Sequence, residues 1–107
     1  MSKKESEEKE DSMSKQFLET RTIVISGSVD SKLADKVIKQ TLLLEQLDPQ
    51  KEIIVIINSP GGEVYSGLAM FDIFNFVDCP ICTIVSGLAA SMGSILSLVG
   101  DDGRRLA

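Results

Sequence analysis

Ile53-Ile54-Val55-Ile56-Ile57-Asn58-Ser59-Pro60-Gly61-Gly62 is the stretch that decides how this chain folds. Five consecutive β-branched residues with no polar alternation predict a strand covered on both faces, as in the middle of a parallel sheet. Parallel neighbours need long crossover connections, so helices are expected before and after it. Upstream, Arg21 to Ser26 is β-rich and ends at Gly27, which reads as a first strand. Between the two, Asp30 or Ser31 caps a helix whose apolar positions Leu33, Ala34, Val37, Ile38, Leu42, Leu44 and Leu47 keep helical spacing until Asp48-Pro49 stops it. Lys32, Asp35, Lys36 and Lys39 form its solvated face. Downstream, a second helix is predicted from about Val64 to Val77, a third strand over Ile81 to Ser86, and an apolar helical pattern over Ile95 to Val99. The order β-α-β-α-β-α predicts an α/β fold on a parallel sheet with right-handed crossovers.

That topology brings two loops to the carboxyl ends of their strands, the edge at which ligands bind in open α/β sheets. In the first, Pro60 stiffens the entry, while Gly61 and Gly62 are free to adopt unusual dihedrals and to turn a backbone N–H toward a cleft. Phosphate loops and oxyanion loops both occupy this position, but no Gly-Lys-Ser/Thr follows, which excludes a Walker-type nucleotide site. The plain alternative is a turn between strand and helix. In the second, Gly87-Leu88-Ala89-Ala90-Ser91-Met92-Gly93-Ser94, one hydroxyl sits among small residues where a helix begins. Free N–H groups and the positive end of the helix dipole there favour a negative oxygen. Ser91-Met92-Gly93 supplies the later half of a G-x-S-x-G elbow, with Ala89 in place of the first glycine. The plain alternative is a helix-capping serine packed among small neighbours.

Composition narrows the chemistry. The chain has 107 residues, 43% hydrophobic, enough for one domain or part of one. Sixteen acidic against eleven basic residues give a net charge of −5, no footprint for nucleic acid or an anionic membrane surface. No apolar run has the length of a membrane span, and the charged N-terminus lacks the apolar core of a signal peptide, so a cytoplasmic location is expected. Residues 1–16 are expected to form a disordered acidic tail, with a solvated helix as the alternative, and residues 17–107 the folded part. Cys79 and Cys82 make a C-x-x-C, but with no histidine and no further cysteine a metal or redox site is not expected. The lack of histidine also removes the commonest base for a serine nucleophile.

The two blocks Ile57 to Gly62 and Gly87 to Gly93 closely resemble the N-terminal signatures of the ClpP family, the proteolytic subunits of the Clp protease. The resemblance spans roughly Phe17 to Ala107. Signal-peptide peptidases and crotonase-fold enzymes, which share the Ser-Pro-Gly-Gly element, are less similar because they lack the Ala-Ala-Ser-Met-Gly block. The resemblance implies a ClpP/crotonase-like fold, incomplete at the C-terminus, with Ser91 as the catalytic nucleophile and the backbone N–H groups of Gly62 and Met92 as the oxyanion hole. It implies a serine endopeptidase acting on unfolded polypeptides, whose base histidine and aspartate lie beyond the stretch matching Arg104 to Ala107, so that the 107-residue chain alone is inactive. It also implies assembly into stacked heptameric rings and docking of an AAA+ unfoldase of the ClpX, ClpA or ClpC type. ATP is then used by that partner, and this chain needs no cofactor. The alternatives are a truncated regulatory subunit, a crotonase-fold enzyme or a binding module.

Overall fold

The computed structural model describes residues 2–100 and 105–106. Its elements run α1 (Lys3–Glu19), β1 (Thr22–Ser26), α2 (Ser31–Leu47), β2 (Ile53–Ser59), α3 (Val64–Phe76), β3 (Ile81–Ala89), α4 (Met92–Leu96), a 3-10 turn over Ser97–Val99, and β4 (Arg105–Leu106). The strands form one parallel sheet in the order β1-β2-β3-β4. Each strand is added on the same side of the last, and crossovers of one hand then place their helices on one face. Accordingly α2 packs on α3, and α3 on α4. The capping residue of α2 is Asp30, whose carboxylate accepts from the N–H of Leu33 at 2.8 Å.

That one-sided arrangement corrects the reading of β2. Ile53, Val55 and Ile57 are completely buried against the helices, together with Ile23 and Ile25 of β1 and Met70 and Phe74 of α3. Ile54 and Ile56, on the opposite face, are only half-buried, and Val24 beside them is exposed. An unbroken apolar strand signals two faces that can be covered, and within the described residues only one of them is.

The acidic N-terminal segment is helical, the alternative to a disordered tail. Ser2 caps α1 by accepting from the N–H of Glu5 at 3.2 Å. Its charges recur at four-residue spacing (Lys3/Glu7, Lys4/Glu8, Glu5/Lys9), a pattern that favours helix without a core. The helix makes its attachment late, through Leu18 against the core and Ser14, whose hydroxyl accepts from the Lys36 ammonium at 2.9 Å.

Two bounds differ near the second loop. β3 continues three residues past Ser86, because a register shift between Ile57 and Ser59 lets Ser59 pair with Ala89. The expected helix to Val99 is shortened to five residues of α4 plus a 3-10 turn. Ser97 explains the break. Its hydroxyl donates back to the Ser94 carbonyl at 2.6 Å, and its own carbonyl is held by the Thr83 hydroxyl at 2.9 Å.

Candidate active site

The first loop is an extension of the sheet. Gly62 bridges in parallel to Val29, the segment that follows β1. The Val29 N–H donates to the Gly61 carbonyl at 2.9 Å, and the Glu63 N–H donates to the Val29 carbonyl at 2.8 Å. A trans peptide points its N–H opposite to its carbonyl, and no peptide bond among the described residues is cis. Since the Gly61 carbonyl faces Val29, the Gly62 N–H faces the other way, toward the side of the sheet where β3 and Ser91 follow. That N–H donates to no partner among the described residues. Position 62 must be glycine: a Cβ there would overlap the Val29 carbonyl oxygen and lie 2.7 Å from its nitrogen.

The second loop is a sharp turn with Ser91 at its apex. Ser91 has φ 52° and ψ −120°, conformations that cost a residue with a Cβ about 1–3 kcal/mol. It stands at the N-cap position of α4, yet its side chain makes no capping bond there and it is exposed. A positive φ at an exposed serine in the turn after a strand is the arrangement of a nucleophile elbow. Met92 is the first residue of α4, a position whose N–H has no acceptor within the helix. Because α4 is only five residues long, little macrodipole accumulates, and these local donors are what the turn offers a negative oxygen.

The two loops expected to share one cleft are joined directly. The Ala90 N–H, one residue before Ser91, donates to the Ser59 carbonyl at 3.1 Å. Gly93 packs so closely on Ser59 that a Cβ would come within 2.9 Å of the same carbonyl oxygen. Asn58 helps from the strand end, its side-chain oxygen accepting from the Leu88 N–H at 3.2 Å. Gly87, at φ 93°, passes that amide so closely that a Cβ would come within 2.9 Å of its oxygen. Ser59, Asn58 and Val29 were not singled out from sequence. Their roles lie in contacts about 30 residues away along the chain, which no local spacing encodes.

The cysteine pair is part of the core. Cys79 and Cys82 are both buried and unbridged. The Cys79 sulfur accepts from the Arg21 guanidinium at 3.4 Å, and burial pushes its thiol pKa up while the Arg21 charge pulls it down. Among the described residues no cluster of three or more His, Cys, Asp or Glu side chains is placed to hold a metal, and no helix is long and apolar enough to cross a membrane.

A family model described as Clp protease matches residues 4–107. The chain is 44% identical over 91 residues to the ATP-dependent Clp protease proteolytic subunit of Deinococcus radiodurans, covering 85% of this chain and 45% of that protein. It is 50% identical over 91 residues to the ATP-dependent Clp protease proteolytic subunit 1 of Protochlamydia amoebophila, at 85% and 44% coverage. It is 46% identical over 89 residues to the ATP-dependent Clp protease proteolytic subunit of Leuconostoc citreum, at 83% and 44% coverage. The chain thus spans less than half the length of these curated relatives.

Proposed function

Because this chain belongs to the Clp protease family, we propose that it supplies the nucleophile and the oxyanion hole of a serine endopeptidase acting on unfolded polypeptides. The observation that carries the proposal is Ser91, a strained, exposed serine with no capping bond, one residue from the backbone bond to Ser59. In the reaction Ser91 Oγ attacks the scissile carbonyl carbon and gives its proton to a general base. The carbonyl oxygen becomes an oxyanion that accepts from the N–H groups of Gly62 and Met92, and the collapsing intermediate expels the amine, which takes the proton. Water then releases the acyl group from Ser91 by the same steps. Each oxyanion donor is worth about 3–4 kcal/mol in such a site.

Residues 1–107 contain no histidine. We assign the base and its carboxylate partner to sequence outside these residues, in keeping with relatives more than twice as long as the matched region. Assembly into an oligomer and an ATP-driven partner belong to the same proposal, supported by relatives named proteolytic subunits of an ATP-dependent protease. Exposed Val64, Tyr65, Leu68 and Phe76 of α3 are apolar surface of the kind such contacts bury. In finer form the proposal is of stacked heptameric rings served by a ClpX, ClpA or ClpC type unfoldase in the cytoplasm.

The test joins residues 1–107 to the C-terminal remainder of the Leuconostoc citreum relative and treats the chimera with a fluorophosphonate probe and a fluorogenic peptide. Labelling is expected at Ser91, with peptide cleavage lowered at least 1,000-fold (~10³) by Ser91→Ala. Ser86→Ala and Ser94→Ala should have mild effects. Labelling at Ser86 or Ser94 with Ser91 untouched overturns the assignment. Labelling of the unextended chain at Ser91 overturns the outside base and points to a lysine or carboxylate within residues 1–107.

A further inference from the structure

We infer that Ser59 is a positioning residue for catalysis, the joint that holds the oxyanion loop and the nucleophile turn in register. The inference rests on the peptidase reading above. Ser59 is fully buried at the end of β2, and its hydroxyl and its carbonyl are both hydrogen-bonded. Its hydroxyl donates to the Gly27 carbonyl at 2.6 Å and accepts from the Gly61 N–H at 3.1 Å. Its carbonyl accepts from the Ala90 N–H at 3.1 Å and forms the floor on which Gly93 rests. Three loops, those after β1, β2 and β3, therefore meet on one residue.

The consequence for chemistry follows from peptide geometry. The Gly61 N–H is fixed by the Ser59 hydroxyl, and the Gly61 carbonyl by the Val29 N–H. Together these bonds set the plane of the next peptide, which carries the Gly62 N–H. The Ser59 backbone simultaneously fixes the residue before Ser91. Removing the hydroxyl frees the Gly61 N–H and the Gly27 carbonyl, leaves the first loop held through Val29 alone and the second in place, and so loosens the alignment of nucleophile and donor. A donor moved by a fraction of an ångström stabilises the transition state less while binding substrate as before. Ser59 touches no reacting atom. It acts through Gly61 and Gly62.

The experiment uses the chimera, with Ser59→Ala and Ser59→Cys compared to the parent at a temperature where each is fully folded. For Ser59→Ala, kcat is expected to fall about 10- to 100-fold with KM within about twofold. A peptide boronate, whose tetrahedral adduct places an oxygen where the oxyanion forms, should lose affinity by the same factor as kcat/KM. Ser59→Cys, which fills the same space with a weaker hydrogen-bonding group, should show a smaller loss of the same kind, and it carries the test if the alanine variant does not fold. Unchanged kcat, or a fall in activity explained by the unfolded fraction or matched by a rise in KM, overturns the inference. A parent chimera in which Ser91→Ala leaves cleavage intact would instead overturn the peptidase reading on which it rests.

Discussion

Among the described residues, two that are not glycine break the same backbone rule: Arg21 at φ 56° and Ser91 at φ 52°. At Arg21 the cost is repaid in full view. It stands just past the end of α1, where a left-handed residue commonly closes a helix, and its N–H donates to the Leu18 carbonyl at 2.9 Å. Its buried guanidinium donates to the carbonyls of Leu44, Asp48, Lys51 and Glu52, with bonds between 2.8 and 3.2 Å, and to the Cys79 sulfur. One side chain ties together the end of α2, the approach to β2 and the approach to β3. Ser91 carries its positive φ at ψ −120°, outside the left-handed helical region, and has no capping bond to set against the cost. Strain that is compensated by local bonds belongs to the scaffold, whereas strain left standing on an exposed hydroxyl needs a reason outside stability.

The largest effect expected is therefore at Arg21. Arg21→Met should cost about 3–5 kcal/mol in urea unfolding of the chain, since four backbone carbonyls lose a shared donor. Arg21→Lys should recover only part of this, because an ammonium cannot span the fork of a guanidinium. A loss below about 1 kcal/mol for Arg21→Met would mean that the bonds do not repay the backbone, and the contrast with Ser91 would fail.

Glycine substitutions extend the same comparison to positions where the backbone is unusual by design. Gly62→Ala should cost about 2–4 kcal/mol, because Val29 is backbone and cannot step aside. Gly27→Ala should cost only about 1 kcal/mol, since φ 81° is strained for alanine but nothing lies within 4 Å of the added carbon. Equal midpoints for the two variants would show that the Val29–Gly62 bridge yields readily, which would weaken the case for a fixed oxyanion donor.

Cys79 reports on the Arg21 side without any mutation of backbone. Burial raises its thiol pKa in the folded chain, so the unfolded chain loses this proton first as pH rises. The stability tied to the neutral thiol is whole below the unfolded value near 9 and declines as pH climbs through the folded one. The urea midpoint of the native chain should fall more steeply as pH rises above about 9 than that of Cys79→Ala. Removing the Arg21 charge, which pulls the pKa down, should slow alkylation of Cys79 in the folded chain still further. Faster alkylation in the Arg21→Met variant would show instead that the pocket opens when the clamp is lost.

The scaffold was legible in sequence wherever the signal is local. The run Ile53 to Ile57 announced β2, Asp30-Ser31 announced the start of α2, and Asp48-Pro49 its end, because caps and breakers act within a few residues. The candidate site was legible only as two glycine- and alanine-rich loops at the carboxyl edge of a parallel sheet. What holds the outline together was not. Ser59 reads as an ordinary turn residue until Gly27 and Ala90 arrive beside it, and Arg21 reads as the first residue of a strand until four distant carbonyls converge on its side chain. The one-sided cover of β2 was hidden for a different reason. Hydrophobicity records which faces can be buried, not which neighbours are present to bury them.

The smallest effect, and the one that decides the comparison, is at Ser91 itself. If the turn is strained for the sake of its hydroxyl, then the strain belongs to any residue with a Cβ and not to serine as such. Ser91→Ala should accordingly leave the urea midpoint almost unchanged, within about 0.5 kcal/mol, since the hydroxyl caps nothing that would be lost. Ser91→Gly removes the Cβ and with it about 1–3 kcal/mol of backbone cost, against which glycine's extra freedom in the unfolded chain sets about 0.5–1 kcal/mol. The glycine variant should end about 1 kcal/mol more stable than the alanine variant, in a chain where most substitutions do harm. At Arg21 the matching glycine relieves the same dihedral but forfeits the guanidinium, and its sign must be the opposite. Opposite signs from one substitution at two residues with nearly equal φ would establish that one bend is structural and the other is held for chemistry. Equal stability of Ser91→Gly and Ser91→Ala would show that the turn at Ser91 stores no strain, and its claim to be a built nucleophile elbow would rest on position alone.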